Sequence, residues 1–185
     1  MKIGIDIDDT IANTSELVLK YLSDNNEQIE FNDFKNYMSE IIRGIYRNKE
    51  ILFLLFKYGE VVAKEAAVKE DVAEVIKFLK EKGYEIYIIT SRTEKNIKGI
   101  KEITENYFKE NNIMYDKLLT GRNDKKNICI EEGIDFLIDD SVDTINELES
   151  PTKGILFNSI INSDKKTNAT RVNNWIEIRE YFENI

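Results

Sequence analysis

Apolar residues alternate with small or acidic ones at Ile3, Ile5 and Ile7, a period of two that predicts a buried strand near the start of the chain. Three carboxylates and a hydroxyl are crowded at its end, in Asp6-Ile7-Asp8-Asp9-Thr10. Asn13 then opens a capping pattern with Glu16 three residues on, and Leu17, Val18, Tyr21 and Leu22 form the apolar stripe of a first helix. Past a polar break at residues 23–30 there is no strand pattern up to residue 67. The spacing there predicts short helices over 33–38, 39–47 and 49–58, the last stopped by Gly59.

From residue 72 the rhythm changes. Val72, Val75, Ile76 and Leu79 have the i, i+3, i+4, i+7 spacing of an amphipathic helix, which Gly83 ends. Strands are expected over 84–89, 117–119, 134–138 and 154–157, and helices over 94–111, 125–132, 142–149 and 174–181. Strands alternating with helices imply right-handed βαβ units, hence an α/β fold: a three-layer, Rossmann-like parallel sheet of about five strands. The stretch between the first and second strands is much longer than one crossover helix requires. Residues 15–67 are therefore expected to form an inserted helical module, and residues 1–14 and 68–185 the core.

A chain of 185 residues buries roughly 70 % of its unfolded surface and needs no covalent staple. Its single cysteine, Cys129, has no internal partner, which fits a reducing compartment. Asp6, Asp8 and Asp9 interrupt any apolar leader, and the longest wholly apolar run, residues 51–56, is too short to span a bilayer. A cytoplasmic location is the expectation. The net charge of -9 argues against nucleic acid or an anionic membrane as a partner. With no histidine present, His-based triads and His-ligated zinc are excluded, and carboxylates must carry the acid–base chemistry.

Candidate chemistry gathers at the strand ends. Side chains two apart on a strand face the same way, so Asp6 and Asp8 are expected to project together from the carboxyl edge, where open sheets bind ligands. Like charges so placed call for a cation. An EF-hand is excluded, because Ile11 and Leu17 stand where its loop needs Gly and Glu. Thr90, Ser91 and Arg92 follow the second strand, Lys125 opens a helix, and Asp139 and Asp140 follow the fourth strand. Singly, Thr90-Ser91 and Asp139-Asp140 also read as helix caps, and Lys125 as a surface lysine. Their joint order, strand-DxDxT, strand-T, Lys, strand-DD, is what connects them.

That order resembles the haloacid dehalogenase superfamily of phosphohydrolases, with motif I at residues 6–10, motif II at Thr90, motif III at Lys125 and motif IV at Ile138-Asp139-Asp140. The inserted helices stand where that superfamily carries its C1-type cap. Ile88-Ile89-Thr90-Ser91-Arg92, the segment 125–140, Ile155-Leu156-Phe157, Ile161-Asn162 and Arg171-Val172-Asn173-Asn174-Trp175 are similar to the 5'(3')-deoxyribonucleotidase family and its bacterial relatives. The cap matches no signature.

The resemblance implies Mg²⁺-dependent hydrolysis of a phosphate monoester. Asp6 would be the nucleophile, forming an aspartyl-phosphate, and Asp8 the general acid and base. Asp6 and Asp140 would bind the metal through their side chains and Asp8 through its carbonyl. Thr90, Lys125 and Asp139 complete the catalytic set, Ser91 and Arg92 would contact substrate, and Thr90 with backbone N–H groups after Asp8 would hold the transferring oxygens. Lys126 stands as an alternative to Lys125, and Asp139 to Asp140. The chemistry is consistent with the charges. At 4 Å and an effective dielectric near 20, a carboxylate and a phosphate dianion repel by about 8 kcal/mol, which a divalent cation and a lysine reverse. Oxygen ligands beside phosphate suit Mg²⁺.

The expected partner is a small phosphorylated substrate, a nucleoside monophosphate, stacked on an aromatic among Tyr46, Phe53, Phe56 and Tyr58 of the insertion. A sugar phosphate is the alternative. No nucleic acid or membrane is expected, and a homodimer is compatible. From other classes come a receiver-like phosphoacceptor domain and a non-catalytic binding fold. The long insertion after the first strand counts against a receiver.

Overall fold

In the computed structural model, which describes residues 1–25, 29–42 and 49–185, six strands form one parallel sheet. They are β1 (Lys2–Ile5), β2 (Glu85–Ile89), β3 (Lys117–Leu119), β4 (Phe136–Asp139), β5 (Lys153–Phe157) and β6 (Thr170–Val172), in the spatial order β3-β2-β1-β4-β5-β6. The expected count of five omits β6. Thr170–Val172 carries a single apolar residue, unlike the Leu118-Leu119 pair of β3, and becomes a strand by pairing with Ile155, Leu156 and Phe157 of β5.

Eight helices are described: α1 (Thr14–Asp24), α2 (Phe31–Ile42), α3 (Lys49–Glu65), α4 (Val72–Glu81), α5 (Ile100–Glu110), α6 (Lys125–Glu132), α7 (Val142–Glu147) and α8 (Trp175–Glu183). The strand pleat separates two apolar layers. Ile3, Ile5, Ile86, Ile88, Phe136 and Ile138 pack with α4 and α8 on one face, through Val75, Ile76, Leu79, Trp175, Ile178 and Phe182. Tyr87, Ile89 and Leu137 pack with Ile128 and Cys129 of α6 on the other. Each fully buried Ile or Leu in these layers contributes about 1.5–3 kcal/mol. Gly4 lets the layer close over β1, since a Cβ there would lie 2.9 Å from Ile89 Cδ1 and 3.0 Å from Leu137 Cδ1.

The chain leaves β1 towards β2 on one side and returns on the other to β4, so the strand order reverses at β1. The carboxyl ends of β1 and β4 flank that switch point, where α/β sheets bind ligands.

Helices α1, α2 and α3 lie between β1 and β2 in the chain. The segments entering and leaving them run side by side: Asn13 N–H donates to the Ala67 carbonyl at 2.9 Å, Lys69 N–H to that of Ile11 at 2.8 Å, and Ala12 pairs antiparallel with Val68. Within this region two expectations need correction. Residues 31–42 form one helix, with Phe34 and Met38 buried a turn apart; the rest of the expected helix over 39–47 lies outside the described residues. Gly59 does not stop α3, because the buried stripe Leu54, Tyr58, Val62 continues across it. A helical glycine costs about 1 kcal/mol, which that packing offsets.

Helix α5 also starts later than residue 94. Thr93 to Asn96 make a turn, and the Glu94 carboxylate accepts from the N–H groups of Gly99 and Lys101. Gly99, at φ +75°, supplies the left-handed residue that begins the helix.

Candidate active site

Strand β1 ends at Ile5, and a tight turn follows it. Ile7 carbonyl accepts from Thr10, Ile11 and Ala12 N–H groups, and Asp9 takes φ +60°. The Asp9 carboxylate accepts from Ser15 N–H at 2.8 Å and from Ser15 Oγ, thereby capping α1. Asn13 occupies the N-cap position, yet its Oδ1 accepts from Lys69 Nζ at 2.6 Å. The N–H groups of residues 9–12 all donate inside this turn, so they are not the free donors expected for a transferring phosphoryl group.

Asp6 points into the switch point. Lys125 Nζ donates to Asp6 Oδ1 and to Asp139 Oδ2, both at 2.6 Å, while Asp139 Oδ1 accepts from Ser141 N–H at 2.8 Å. Asp6, Asp139 and Asp140 each offer a carboxylate oxygen within 4.8 Å of the others, and all three are buried. Asp6 Oδ2 and Asp140 Oδ1 have no hydrogen-bond partner. Asp140 Oδ2 accepts from Ser159 Oγ at 3.3 Å. Lys126, by contrast, reaches outward to Glu149 at 2.5 Å.

Asp8 is paired differently. Its Oδ1 accepts from Arg92 Nη2 at 2.7 Å and Thr14 Oγ1 at 2.8 Å, and its Oδ2 from Arg92 Nε at 3.1 Å. Asp6 and Asp8 therefore take different hydrogen-bond partners, Lys125 for one and Arg92 with Thr14 for the other, while remaining near enough for Asp8 to act electrostatically on Asp6. Arg92 spends its remaining Nη1 contact on the Ala63 carbonyl of α3, at 3.5 Å. Thr90, buried at the end of β2, accepts from Arg92 N–H at 3.2 Å and keeps its own hydroxyl proton to donate. Ser91 is buried beside it.

The electrostatics follow from burial and neighbours. Burial pushes Asp6 up to about 7 against the pull of Lys125, with Asp139 and Asp8 adding repulsion. Burial, Asp9, Asp139 and Asp6 drive Asp140 well above the carboxylate range. For Asp8, burial acts upward, but Arg92 and Thr14 outweigh it and hold the group below its ordinary value. Burial likewise disfavours charge on Lys125, and the carboxylates Asp139 and Asp6 more than reverse this. Were all three carboxylates ionised, the one ammonium would leave two negative charges uncompensated, and two of their oxygens are unpartnered. Such a site fits a divalent cation with oxygen preference.

A cavity of about 60 Å³ opens beyond Asp8, between α1–α3 and the loop after β2. Its floor carries Asp8, Thr14, Ser91, Arg92, Thr93 and Asn96, and Val18, Met38, Ile41, Leu54, Tyr58 and Val62 are among its mostly apolar walls. Of the aromatics expected to meet substrate, Tyr58 alone among the described residues lines it. Phe53 and Phe56 are exposed on α3 and absent from the lining, and Tyr46 lies outside the described residues. Sequence reasoning missed Asp9, Thr14, Ser159 and Asn162 around the site. The one available signal was Asp9-x5-Ser15, an acid within reach of a helix start.

A family model described as haloacid dehalogenase-like hydrolase matches residues 3–126. By sequence, no curated protein matches the chain. Among solved structures, a predicted phosphatase from Clostridium acetobutylicum superposes with a TM-score of 0.63 at 16% identity, covering 100% of this chain and 98% of that one. A protein from Bacillus subtilis described as a HAD-hydrolase and bound to magnesium gives 0.64 at 15% identity, with 100% and 98% coverage. CbbY from Rhodobacter sphaeroides, in complex with xylulose-(1,5)bisphosphate, gives 0.62 at 12% identity, covering 95% of each chain. At these identities the likeness is one of fold. No helix among the described residues is long and apolar enough to cross a membrane.

Proposed function

The chain belongs to the haloacid dehalogenase-like hydrolases, and we propose that it is a Mg²⁺-dependent phosphatase acting on a small phosphate monoester. The observation that carries this reading is Lys125 bridging Asp6 and Asp139 beside the unpartnered oxygens of Asp6 and Asp140. Residues 15–67 are read as a cap over a core of residues 1–14 and 68–185, with the paired segments around Ala12 and Val68 as its hinge.

Asp6 and Asp140 side chains, with the Asp8 carbonyl, would hold the cation, which when bound supplies charge neutralisation for the phosphate. Lys125 opposes the effect of burial on Asp6, favouring its ionised form together with the cation, and fixes one of its oxygens. Asp6 attacks phosphorus, forming an aspartyl-phosphate as the ester bond to the alcohol breaks. Asp8 gives the departing alcohol its proton, then takes one from the water that releases inorganic phosphate and restores Asp6. In the state described here Arg92 sets Asp8 as an acceptor, so donation requires it to exchange Arg92 for the leaving oxygen. Thr90 donates to a phosphoryl oxygen, a fixed dipole of the kind phosphoryl transfer relies on.

The cavity favours a compact leaving group. Sites for drug-sized ligands run from about 300 Å³ upward, so a space of about 60 Å³ suits a leaving group of a few heavy atoms, such as a short alcohol, better than a nucleoside. The nucleotidase reading is second, supported by the resemblance around Thr90, Asn162 and Trp175. A screen of sugar phosphates, short-chain alcohol phosphates and nucleoside monophosphates, with Mg²⁺ and with chelator, tests both. We expect turnover only with Mg²⁺ and fastest on a compact ester. Preferential hydrolysis of nucleotides would restore the nucleotidase reading, and no hydrolysis of any ester would remove the phosphatase.

A further inference from the structure

The loop after β5 is held by a side-chain network that the hydrolytic steps do not use. Asn162, 1% exposed, donates from Nδ2 to the carbonyls of Asp140 at 2.7 Å and Phe157 at 2.8 Å. Those carbonyls stand at the ends of the neighbouring strands β4 and β5, so one amide joins the two strand ends. Its Oδ1 accepts from Ser159 N–H at 3.1 Å and Arg171 Nη1 at 3.0 Å. Arg171, on β6, also donates to Asn158 Oδ1 at 2.7 Å and to the Lys165 carbonyl at 2.5 Å.

The network converges on one acid. Asn162 fixes the backbone of Asp140, and Ser159 Oγ occupies Asp140 Oδ2, which leaves Oδ1 as the buried oxygen without a partner. A carboxylate with its main chain and one oxygen held presents the other in a defined place. The Asp140 carboxylate lies in the cluster with Asp6 and Asp139.

We propose that Ser159, Asn162 and Arg171 are positioning residues for the Asp140 carboxylate, and that their hydrogen bonds set the affinity of the Asp6–Asp140 site for a divalent cation. The inference rests on the reading of those two acids as cation ligands. Groups that orient ligating side chains typically change metal affinity by about 10–100-fold when removed.

Thermal unfolding of the full chain, titrated with Mg²⁺ alone and no substrate, separates the possibilities. In the wild type, Mg²⁺ should raise the midpoint along a saturable curve that gives an apparent affinity. Ser159→Ala and Asn162→Ala should each weaken that affinity by about tenfold. Ser159→Thr, which retains the hydroxyl, should restore it. Asp164→Ala is the control: it breaks the 2.7 Å ion pair between Asp164 of the same loop and Lys35 of α2 without touching Asp140. Its Mg²⁺ affinity should equal that of the wild type. If Asn162→Ala fails to fold, Ser159→Ala and its Thr rescue decide. A wild type blind to Mg²⁺ overturns the cation site itself, and this inference with it. A responsive wild type matched by Ser159→Ala overturns only the positioning role, and so does an Asp164→Ala variant weakened to the same degree.

Discussion

Arg92 grips both carboxylate oxygens of Asp8, at 2.7 Å from Nη2 and 3.1 Å from Nε, across 84 positions of sequence. The pair joins the loop after β2 to the turn after β1, and Arg92 reaches on to the Ala63 carbonyl, so these two segments and α3 meet at one guanidinium. Both side chains are nearly enclosed, with 6% and 13% exposure. Removing one partner of such a pair strands the other charge.

We predict that Arg92→Met lowers the unfolding free energy by about 3 kcal/mol at pH 7, measured by urea titration. The sign in pH follows from Asp8, whose folded pKa lies below its ordinary value. Its stabilising contribution is present above the unfolded carboxylate pKa of about 3.9 and is lost as pH falls through the folded value. The wild type and Arg92→Met should therefore converge in acid. A gap that persists unchanged below that range would mean that lost packing, not the ion pair, causes the defect.

Lys125 and Lys126 are adjacent but inhabit different surroundings. Lys125 is buried between two carboxylates, whereas Lys126 pairs with Glu149 at the surface. Lys125→Ala should reduce kcat for an aryl phosphate by about a hundredfold or more, the scale of losing a charge-stabilising donor. Lys126→Ala should stay within about twofold, since exposed ion pairs contribute little. Equal losses would mean that the ammonium beside Asp6 has no special part.

Asp139 and Asp140 invite the same comparison. Both oxygens of Asp139 are already engaged, by Lys125 and Ser141, while Asp140 keeps one open. Asp140→Asn should raise the Mg²⁺ concentration for half-maximal activity by about tenfold or more, and Asp139→Asn should lower kcat with a smaller Mg²⁺ effect. The reverse order of Mg²⁺ effects would exchange the two roles.

Much of this architecture is legible in the sequence because local pattern and tertiary structure agree there. Ile3 and Ile5 alternate and are fully buried in the same apolar layer; Gly133 ends α6 at φ +66°, as a glycine after a helical stripe should. The misreadings fall where a distant partner decides. Gly59 looks like a helix stop until Val62 is seen completing a stripe against the core. Thr170–Val172 has no pattern of its own and needs β5 beside it. The candidate site divides in the same way. The strand-end acids, Thr90 and Lys125 could be listed from their order, but nothing local told that Arg92 belongs to Asp8, or that Asn162 holds the Asp140 carbonyl. Those pairings are set by the sheet order.

The cavity makes a last, separable prediction about leaving-group choice. Tyr58 lines it and stacks on Tyr21 at 5.6 Å between ring centroids, whereas Phe56, two positions earlier on α3, is 66% exposed and outside the lining. Tyr58→Ala removes a wall, so the larger of two alcohol leaving groups gains room while the phosphoryl end is untouched. The ratio of kcat/KM for a larger ester over a smaller one should rise by about tenfold, the size of effect one or two methylenes have in an apolar pocket. Phe56→Ala should leave that ratio as it is in the wild type. The measurement is a competition between two phosphate esters that differ only in the length of the alcohol. An unchanged ratio in Tyr58→Ala, or an equal rise in Phe56→Ala, would place selection of the leaving group somewhere other than this cavity.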